Sequence, residues 1–265
     1  MKLPVALTIA GSDSGGGAGI QADLRTFAFL GVHGTSAITA ITAQNTRDVT
    51  GILELPVELI TQQIDAVVDD IGVQAAKTGM LASAEIIAAV ADAIERHGIR
   101  NLVVDPVMVA KGGARLLHDD AVAALRQRLL PLAAVVTPNL PEAAVLLGRP
   151  VESLEDRRQA ARDLVAMGAR AAVVKGGHAE GDAVDVFFAG AEIAELRAPR
   201  VDTQNTHGSG CVFSAAIAAG LARGLETANA VREAKVFVTR AILSSLEIGH
   251  GHGPVNAAFG LGEPG

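Results

Sequence analysis

The sequence contains no tryptophan, no tyrosine and a single cysteine among its 265 residues. One cysteine, Cys211, cannot form a disulfide within the chain, and this is typical of proteins from a reducing cytosol. The sequence also lacks any run of about 18 consecutive apolar residues, so no membrane-spanning helix is predicted. The short apolar stretch near the N-terminus contains a proline and passes into a polar glycine-rich loop, unlike a secretory signal peptide. We therefore expect a cytoplasmic protein.

Positive charge and aromatic side chains are scarce as well. The chain has 22 Lys and Arg against 29 Asp and Glu, and only 3% of its residues are aromatic. Nucleic-acid-binding proteins usually present a basic surface and aromatic side chains for base stacking, so we exclude that class. Because 49% of the residues are hydrophobic and 19% are charged, a disordered chain is excluded too. No linker or repeat interrupts the pattern, which predicts a single domain over residues 1–265.

Short apolar runs alternate with longer amphipathic ones along most of the chain. Strands are predicted at 5–9, 36–42, 75–78, 102–105, 134–137 and 171–175, and helices at 18–30, 57–71, 84–97, 119–130, 141–147 and 154–167. Ser153 and Asp156 have the spacing of a helix capping box. The strand runs are apolar without alternation, which is typical of parallel strands covered on both faces.

The alternation of apolar and amphipathic runs changes in the last third of the chain. Two strand-like runs at 183–188 and 192–196, separated by Ala-Gly-Ala, favour an antiparallel hairpin at a sheet edge. Helices are predicted at 209–223 and 226–246. The predicted fold class is therefore α/β, with a mostly parallel central sheet, helices on both faces and a small antiparallel edge hairpin.

Polar and glycine-rich segments follow each of the predicted parallel strands. They are residues 11–19, 44–45, 79–80, 105–106, 138–139 and 176–178. The carboxyl ends of parallel strands meet at one edge of a sheet, and ligands bind there in open α/β proteins. The sequence therefore predicts one ligand site at this edge.

The segment Thr206-His-Gly-Ser-Gly-Cys opens a helix of small residues. Small residues at a helix N-terminus leave backbone N–H groups free to converge on an anion. We interpret Gly208, Ser209, Gly210 and Cys211 as a phosphate site, an interpretation that the glycine-rich loop 11–19 supports. The alternative is a plain turn before the helix, with Cys211 as a small core residue.

Asn139 and Glu142 lie three residues apart, with Pro141 suited to the first turn of a helix. Amide and carboxylate oxygens suit Mg²⁺. The alternative is an asparagine cap followed by a favourable first-turn glutamate. Asp105 would be costly to bury without a partner, so it is either structural or a third member of a metal and phosphate network.

Two lysines and one glutamine are further binding candidates. Lys175 ends an apolar strand, where its charge needs an anionic partner, either a nucleotide phosphate or a carboxylate. Lys111, in the loop Ala-Lys-Gly-Gly, either reaches a phosphate or is solvated. Gln44 has the donor and acceptor that an amino-substituted ring nitrogen requires, although a loop hydrogen bond is the simpler role. Met80 is more commonly core filler. Neither a Walker loop nor the protein-kinase motifs are present.

These segments together resemble the hydroxymethylpyrimidine/phosphomethylpyrimidine kinases of thiamine biosynthesis. The resemblance rests on AGSDSGGGAGIQADL at 10–24, TAQNT at 42–46, KTGML at 77–81, VDPVMVAKGG at 104–113, TPNLPEA at 137–143, VKGGH at 174–178, NTHGSGC at 205–211 and GHGHGPVN at 249–256. Their order and spacing match over almost the whole chain. The resemblance implies a ribokinase-like fold, a homodimer, and the use of ATP and Mg²⁺.

The resemblance also implies roles for individual residues. Gln44 would hold an aminopyrimidine in a pocket lined by Gly11, Asp23, Met80 and the backbone of Val107. Asp105, Asn139 and Glu142 would serve Mg-ATP, Lys175 its phosphates, and residues 208–211 the anion hole. The implied reaction phosphorylates 4-amino-5-hydroxymethyl-2-methylpyrimidine and then its monophosphate. Many superfamily relatives have an aspartate base where this chain has Cys211.

The helix N-terminus predicts a lowered thiol pKa for Cys211, so that a thiolate can act as base in the first transfer. A phosphate monoester is already an anion at neutral pH, so the second transfer needs no base. The alternatives are a pyridoxine or pyridoxal kinase and, from another class, a non-catalytic sensor of a nucleotide or pyrimidine. A dinucleotide oxidoreductase is disfavoured because Ile20 breaks the glycine fingerprint of the first loop.

Overall fold

The computed structural model describes residues 3–110, 112–114, 116–118, 120–177 and 182–260. Its centre is a nine-stranded sheet with the strand order β3-β2-β1-β4-β5-β6-β7-β8-β9. The strands are β1 Val5–Asp13, β2 His33–Gln44, β3 Val49–Glu54, β4 Ala75–Thr78, β5 Leu102–Val104, β6 Ala133–Val136, β7 Ala171–Val174, β8 Ala183–Ala189 and β9 Glu192–Ala198. The six strands β2, β1, β4, β5, β6 and β7 run parallel. Strands β3, β8 and β9 are antiparallel to their neighbours.

Eight helices connect or flank these strands in the described part of the chain. They are α1 Gly19–Phe29, α2 Val57–Asp70, α3 Ala84–Arg96, α4 Ala121–Ala124, α5 Leu140–Leu147, α6 Leu154–Ala166, α7 Ser209–Ala222 and α8 Thr227–Leu243. No helix in the described ranges combines the length and the hydropathy that a membrane crossing requires.

The helices cover the sheet on both faces. One face packs against α2, α3, α5 and α6 through buried side chains such as Ile64, Ile87 and Leu164. The other face packs against α1, α7 and α8, with Phe27, Ile217 and Phe237 among the buried residues. The central strands β4 to β7 are buried along their whole length. Uniform burial explains why their sequences lack polar alternation.

The predicted architecture is confirmed, including the edge hairpin of β8 and β9. Two local features differ from the prediction. Strand β3 was not predicted, because most of its residues are exposed and its sequence, VTGILE, shows no clear alternation. The helix predicted at 119–130 is one α-helical turn, followed by a π-helical turn Leu125–Leu129 and a 3₁₀ turn Leu130–Leu132. Pro131 lies in that last turn, where its missing N–H cannot continue an α-helix.

Two helix starts differ in how they are capped. The capping box of Ser153 and Asp156 is confirmed at the start of α6. Helix α7 begins differently, because its N-cap Gly208 has a left-handed φ of 77°. A side chain at Gly208 would place its Cβ 1.8 Å from Gly17 O. Only glycine therefore lets the first loop and the start of α7 approach this closely.

Candidate active site

A cavity of about 730 Å³ opens at the carboxyl ends of the parallel strands. Nearly all residues predicted for the site line it, namely Gly11, Gln44, Met80, Asp105, Val107, Asn139, Glu142, Lys175 and residues 208–211. The structure therefore brings together residues that are up to 200 positions apart in the sequence. Two candidates behave differently: Asp23 does not line the cavity, and Lys111 lies outside the described residues.

The N-terminus of α7 forms one wall of the cavity. In the described ranges no side chain caps its first-turn N–H groups, although Ser209 N donates to Thr206 O at 3.2 Å, and the helix dipole adds positive potential there. A Cβ at Gly210 would lie 3.2 Å from Lys175 Nζ, so the lysine side chain reaches the first turn. This arrangement is suited to an anionic group such as a phosphate.

Asp105, which is buried, and Lys175, which is partly buried, form an ion pair next to the same wall. Lys175 Nζ donates to Asp105 Oδ1 at 3.2 Å, and Thr137 Oγ1 lies 3.4 Å from the same oxygen. Ser214 Oγ lies 3.1 Å from Asp105 Oδ2. Burial by itself would lower the pKa of Lys175, but the carboxylates of Asp105 and Glu142 raise it above its usual value. Lys175 therefore remains a cation at neutral pH and is available to a phosphate.

Asn139 and Glu142 make the capping box that was the alternative to a metal role. Asn139 Oδ1 accepts from Glu142 N at 2.9 Å, and Glu142 Oε2 accepts from Asn139 N at 2.8 Å. The two roles are compatible, because both side chains also line the cavity. Burial, and secondarily the Asp105 carboxylate, raises the pKa of Glu142 to about 7, although Lys175 opposes the shift. Glu142 therefore exchanges a proton near neutral pH.

Gln44 lies at the end of β2, and its side chain reaches His207, the residue that precedes the N-cap of α7. Its backbone is fixed by Ser14, whose Oγ donates to Gln44 O and accepts from Gln44 N, both at 2.8 Å. Its side-chain amide lies between Thr42 Oγ1 at 3.0 Å and His207 Nε2 at 3.4 Å. Because both ends of the amide are held, the amide is rigid and can form hydrogen bonds with the edge of a heterocycle.

The apolar part of the same region comes from Gly11 and Met80. A Cβ at Gly11 would lie 3.2 Å from Met80 Sδ, so glycine leaves room for the methionine at the cavity wall. Val107 N donates to Asp105 O at 2.8 Å. The N–H of Val107 is therefore occupied, and its carbonyl oxygen is the backbone group that can bind a ligand.

The glycine-rich loop 11–19 does not present its amides to an anion in the way the sequence suggested. Asp13 accepts from Gly15 N at 2.8 Å, Gly17 N at 3.0 Å and Ala18 N at 2.8 Å. Burial would raise the pKa of Asp13, but hydrogen bonds from His207 and the loop amides lower it below its usual value. The loop is thus organised around an internal carboxylate, and sequence reasoning missed that role of Asp13.

The expected lowering of the Cys211 pKa is wrong. Burial, and the carboxylates of Asp23 and Asp105, raise the pKa of the thiol to about 11, although Lys77 acts in the opposite direction. The helix N-terminus is therefore outweighed by removal of the thiolate from water. Cys211 is a neutral thiol at pH 7.

Asp23 lies behind the cavity wall and not on it. Its side chain is fully buried, and Oδ2 accepts from Thr8 Oγ1 at 2.6 Å and Lys77 Nζ at 2.8 Å. The cavity is lined by Lys77 instead. Asp23 lies on the buried face of α1. The sequence alone could not show whether its side chain lines the pocket or forms an ion pair behind the pocket wall.

Sequence reasoning missed several other charged or polar cavity residues. They are Asp13, Lys77, Asp185, His207 and Lys235. Lys235 Nζ donates to Asp185 Oδ2 at 2.8 Å, on the side of the cavity formed by β8 and α8. Lys77 and Asp185 each interrupt an apolar strand, the same signal that singled out Asp105 and Lys175. That signal could have found both.

The donor set fits Mg-ATP. Across the described ranges, no three histidine, cysteine or acidic side chains form a metal site of their own. Mg²⁺ bound together with a nucleotide needs only one or two carboxylates, since phosphates and waters supply the other ligands. Asp105 and Glu142 are such carboxylates, and Lys175 and the α7 N-terminus lie beside them.

Comparisons with known proteins give a consistent result. The phosphomethylpyrimidine kinase family model matches residues 13–256. Hydroxymethylpyrimidine/phosphomethylpyrimidine kinase of Streptomyces coelicolor is 53% identical over 260 residues, covering 98% of this chain and 96% of that protein. A Bacillus subtilis pyridoxal kinase, solved as an ADP complex, has a TM-score of 0.91 and 42% identity, covering 97% of this chain and 98% of its own. Phosphomethylpyrimidine kinase of Clostridium difficile has a TM-score of 0.81 and 41% identity, covering 91% and 100%.

Proposed function

The chain belongs to the phosphomethylpyrimidine kinase family, and we propose that it transfers phosphoryl groups from ATP to a hydroxymethyl aminopyrimidine in two steps. The first acceptor is the hydroxyl group of 4-amino-5-hydroxymethyl-2-methylpyrimidine, and the second is the resulting monophosphate. The observation that carries this proposal is the cavity itself, which is lined both by Gln44 and by the anion site at the N-terminus of α7. One cavity can therefore bind an aminopyrimidine and a triphosphate together.

The chemistry is mainly positioning and electrostatic stabilisation, which suffice for phosphoryl transfer. The acceptor oxygen attacks the γ-phosphorus, the bond to the ADP oxygen breaks, and ADP leaves. Negative charge on the transferring group is stabilised by the first-turn amides of α7, at residues 208–211. Lys175, which reaches the first turn of α7, neutralises phosphate charge beside these amides.

Asp105 and Glu142 would hold the metal of Mg-ATP, directly or through water. When bound, Mg²⁺ neutralises phosphate charge and orients the γ-phosphate. Asn139 keeps Glu142 in place through the capping box. Lys111 would contribute a further contact to the phosphates.

Cys211 serves the two acceptors differently. The alcohol loses its proton as it attacks, and Cys211 lines the cavity where it can accept that proton once it is a thiolate. A thiol with a pKa of about 11 is ionised in only roughly one molecule in 10⁴ at pH 7. The first transfer therefore accelerates with rising pH, whereas the monophosphate already carries its negative charge.

A second candidate function is phosphorylation of pyridoxine or pyridoxal. It is favoured by the TM-score of 0.91 to a pyridoxal kinase, which exceeds the 0.81 to a phosphomethylpyrimidine kinase. Gln44 favours the pyrimidine, because an amide pairs with an amino group beside a ring nitrogen and pyridoxine has no such edge.

Steady-state rates with the pyrimidine alcohol, its monophosphate and pyridoxine separate these functions. We expect a higher kcat/KM for both pyrimidines than for pyridoxine. A higher value for pyridoxine would make the second candidate the correct one. An absence of ATP turnover with all three acceptors would leave only a non-catalytic sensor.

We also propose that residues 1–265 form one kinase domain that acts as a cytoplasmic homodimer. Ile41 and Leu53 pair across β2 and β3 at the sheet edge and are 48% and 65% exposed. A second copy would cover this apolar pair. Sedimentation of the native chain and a Leu53→Lys variant tests the dimer, since the variant should sediment as a monomer.

A further inference from the structure

A hydrogen-bond network surrounds the side-chain amide of Gln44. The transfer of a phosphoryl group does not itself require this network. Gln44 Oε1 lies 3.0 Å from Thr42 Oγ1, and Gln44 Nε2 lies 3.4 Å from His207 Nε2. His207 Nε2 is also 2.9 Å from Asp13 Oδ2. The two ends of a side-chain amide have almost the same shape, so its hydrogen-bond partners decide its orientation.

The position of one proton on His207 follows from Asp13. The Asp13 carboxylate accepts three backbone N–H groups, from Gly15, Gly17 and Ala18. Backbone amides only donate, and a carboxylate with three such donors is held in its ionised form. An ionised carboxylate can only accept hydrogen bonds. His207 Nε2 therefore carries a proton and donates it to Asp13.

A protonated His207 Nε2 is a poor neighbour for the Gln44 NH₂ group, because both are donors. The other end of the amide has the complementary problem. Thr42 Oγ1 lies 2.9 Å from Ser12 O and 3.0 Å from Gln44 Oε1, and its single proton can serve only one of these acceptors. A half-turn of the amide about its last torsion resolves both conflicts. Nε2 then donates to Thr42 Oγ1, Thr42 donates to Ser12 O, and Oε1 faces the N–H of His207.

We propose that the Gln44 amide binds with its oxygen toward His207 and its nitrogen toward Thr42. His207 and Thr42 are then positioning residues, and they determine which way round the pyrimidine ring is held. This inference rests on the proposed function for its substrate. The arrangement of the amide itself rests only on Asp13, His207, Thr42 and Ser12.

The orientation of the amide directs the reacting group. In 4-amino-5-hydroxymethyl-2-methylpyrimidine the amino group lies between a ring nitrogen and the carbon that bears the hydroxymethyl group. The amide oxygen accepts from the amino group, and the amide nitrogen donates to the ring nitrogen. The amino group then lies on the His207 side, with the hydroxymethyl group beyond it.

His207 immediately precedes Gly208, the N-cap of α7. The hydroxymethyl group is thereby aimed at residues 208–211, where the phosphoryl group is transferred. The opposite amide orientation would turn the ring over and place the hydroxymethyl group toward Thr42 and β2. A single amide rotamer thus separates a productive complex from a non-productive one.

The first test reads the proton on His207 in the ligand-free protein. Through-bond NMR assignment of uniformly ¹³C,¹⁵N-labelled protein identifies the His207 ring nitrogens without a variant. We expect a protonated, pyrrole-type nitrogen at Nε2. A proton on Nδ1 with an unprotonated Nε2 would overturn the proposal, because Gln44 Nε2 would then be the natural donor to it. This result decides the amide orientation even if the pyrimidine proves not to be the substrate.

The second test compares Thr42→Val with Thr35→Val. Both threonines are on β2, and both hydroxyls donate to a β1 carbonyl, Ser12 O at 2.9 Å and Ala6 O at 3.1 Å respectively. Only Thr42 also contacts Gln44. Loss of this hydrogen bond should raise KM for the pyrimidine roughly 3- to 10-fold, with KM for ATP unchanged.

Thr35→Val should change neither constant, and Thr42→Ser should restore the wild-type KM because it keeps the hydroxyl. Equal pyrimidine KM values for the two valine variants would overturn the positioning role of Thr42. Wild-type protein that turns over ATP with pyridoxine and not with the pyrimidine would refute the proposed substrate. The result of the His207 measurement does not depend on that outcome.

Discussion

Replacing Glu142 with glutamine should remove a pH dependence that the buried carboxyl group imposes on the protein. Burial raises the Glu142 pKa from 4.5 to about 7. The folded state therefore holds this proton more tightly than the unfolded state does. The contribution of Glu142 to the free energy of unfolding is fully present below pH 4.5 and is lost as the pH rises through 7. At about 1.4 kcal/mol per pKa unit, the loss amounts to about 3 kcal/mol.

The variant keeps the fold, because glutamine at this position can still accept from Asn139 N and complete the capping box. Urea unfolding at pH 4.5, 6, 7 and 8 gives the free energy of unfolding for both proteins. The wild-type value should fall by about 3 kcal/mol relative to Glu142→Gln between pH 4.5 and 8. Glu85→Gln is the matched control, since Glu85 is an exposed first-turn glutamate on α3. It should not alter the pH profile.

The same proton competes with Mg²⁺. Apparent Mg²⁺ affinity in the presence of a non-hydrolysable ATP analogue should rise up to about tenfold per pH unit below pH 7 and level off above pH 8. Calorimetry with Glu142→Gln should show weaker Mg²⁺ binding, with only the pH dependence that the terminal phosphate of the analogue itself contributes. Identical profiles for the wild type and the variant, in both unfolding and Mg²⁺ binding, would show that Glu142 does not exchange a proton in this pH range.

Three further predictions follow from the site. Gln44→Ala should weaken pyrimidine binding by about 1–3 kcal/mol and leave ATP affinity unchanged in calorimetry; equal losses for both ligands would make Gln44 structural. With saturating Mg-ATP, the rate of alcohol phosphorylation should rise about tenfold per unit from pH 8 to 9.5, and Cys211→Ala should abolish that rise; a rise that persists in the variant would exclude Cys211 as the base. Gly208→Ala should lower the melting temperature more than Gly72→Ala, because both glycines have φ above 70° but only Gly208 also meets a carbonyl oxygen; equal losses would show that backbone strain alone is responsible.

The fold could be predicted from the sequence wherever burial dictates composition. Strands such as β6 and β7 are buried on both faces and read as unbroken apolar runs. Strand β3 could not be predicted, because an exposed edge strand places little constraint on its residues. Pro131 explains why the helix ends, whereas the π turn at Leu125–Leu129 accompanies burial of Leu125 and Leu129 in the core, which the local sequence does not determine.

The site could be located from the sequence, but its electrostatics could not. Each polar segment after a strand lies at the same edge, as parallel topology requires. The pKa of Cys211 depends on how deeply the thiol is buried and on its distance from Asp23 and Asp105, which are remote in sequence. The role of Asp13 likewise depends on a loop that folds back onto it. Local sequence shows the helix N-terminus but not the carboxylates facing it.

We propose that one cavity phosphorylates the pyrimidine alcohol and then its own product. The most direct test incubates the purified chain with 4-amino-5-hydroxymethyl-2-methylpyrimidine and excess Mg-ATP, and follows the products by mass spectrometry over time. We expect that the monophosphate accumulates first and is then converted to the diphosphate, with one ADP formed for each phosphoryl group transferred. ATP consumption with no phosphorylated pyrimidine, or a monophosphate that is never converted further, would contradict it.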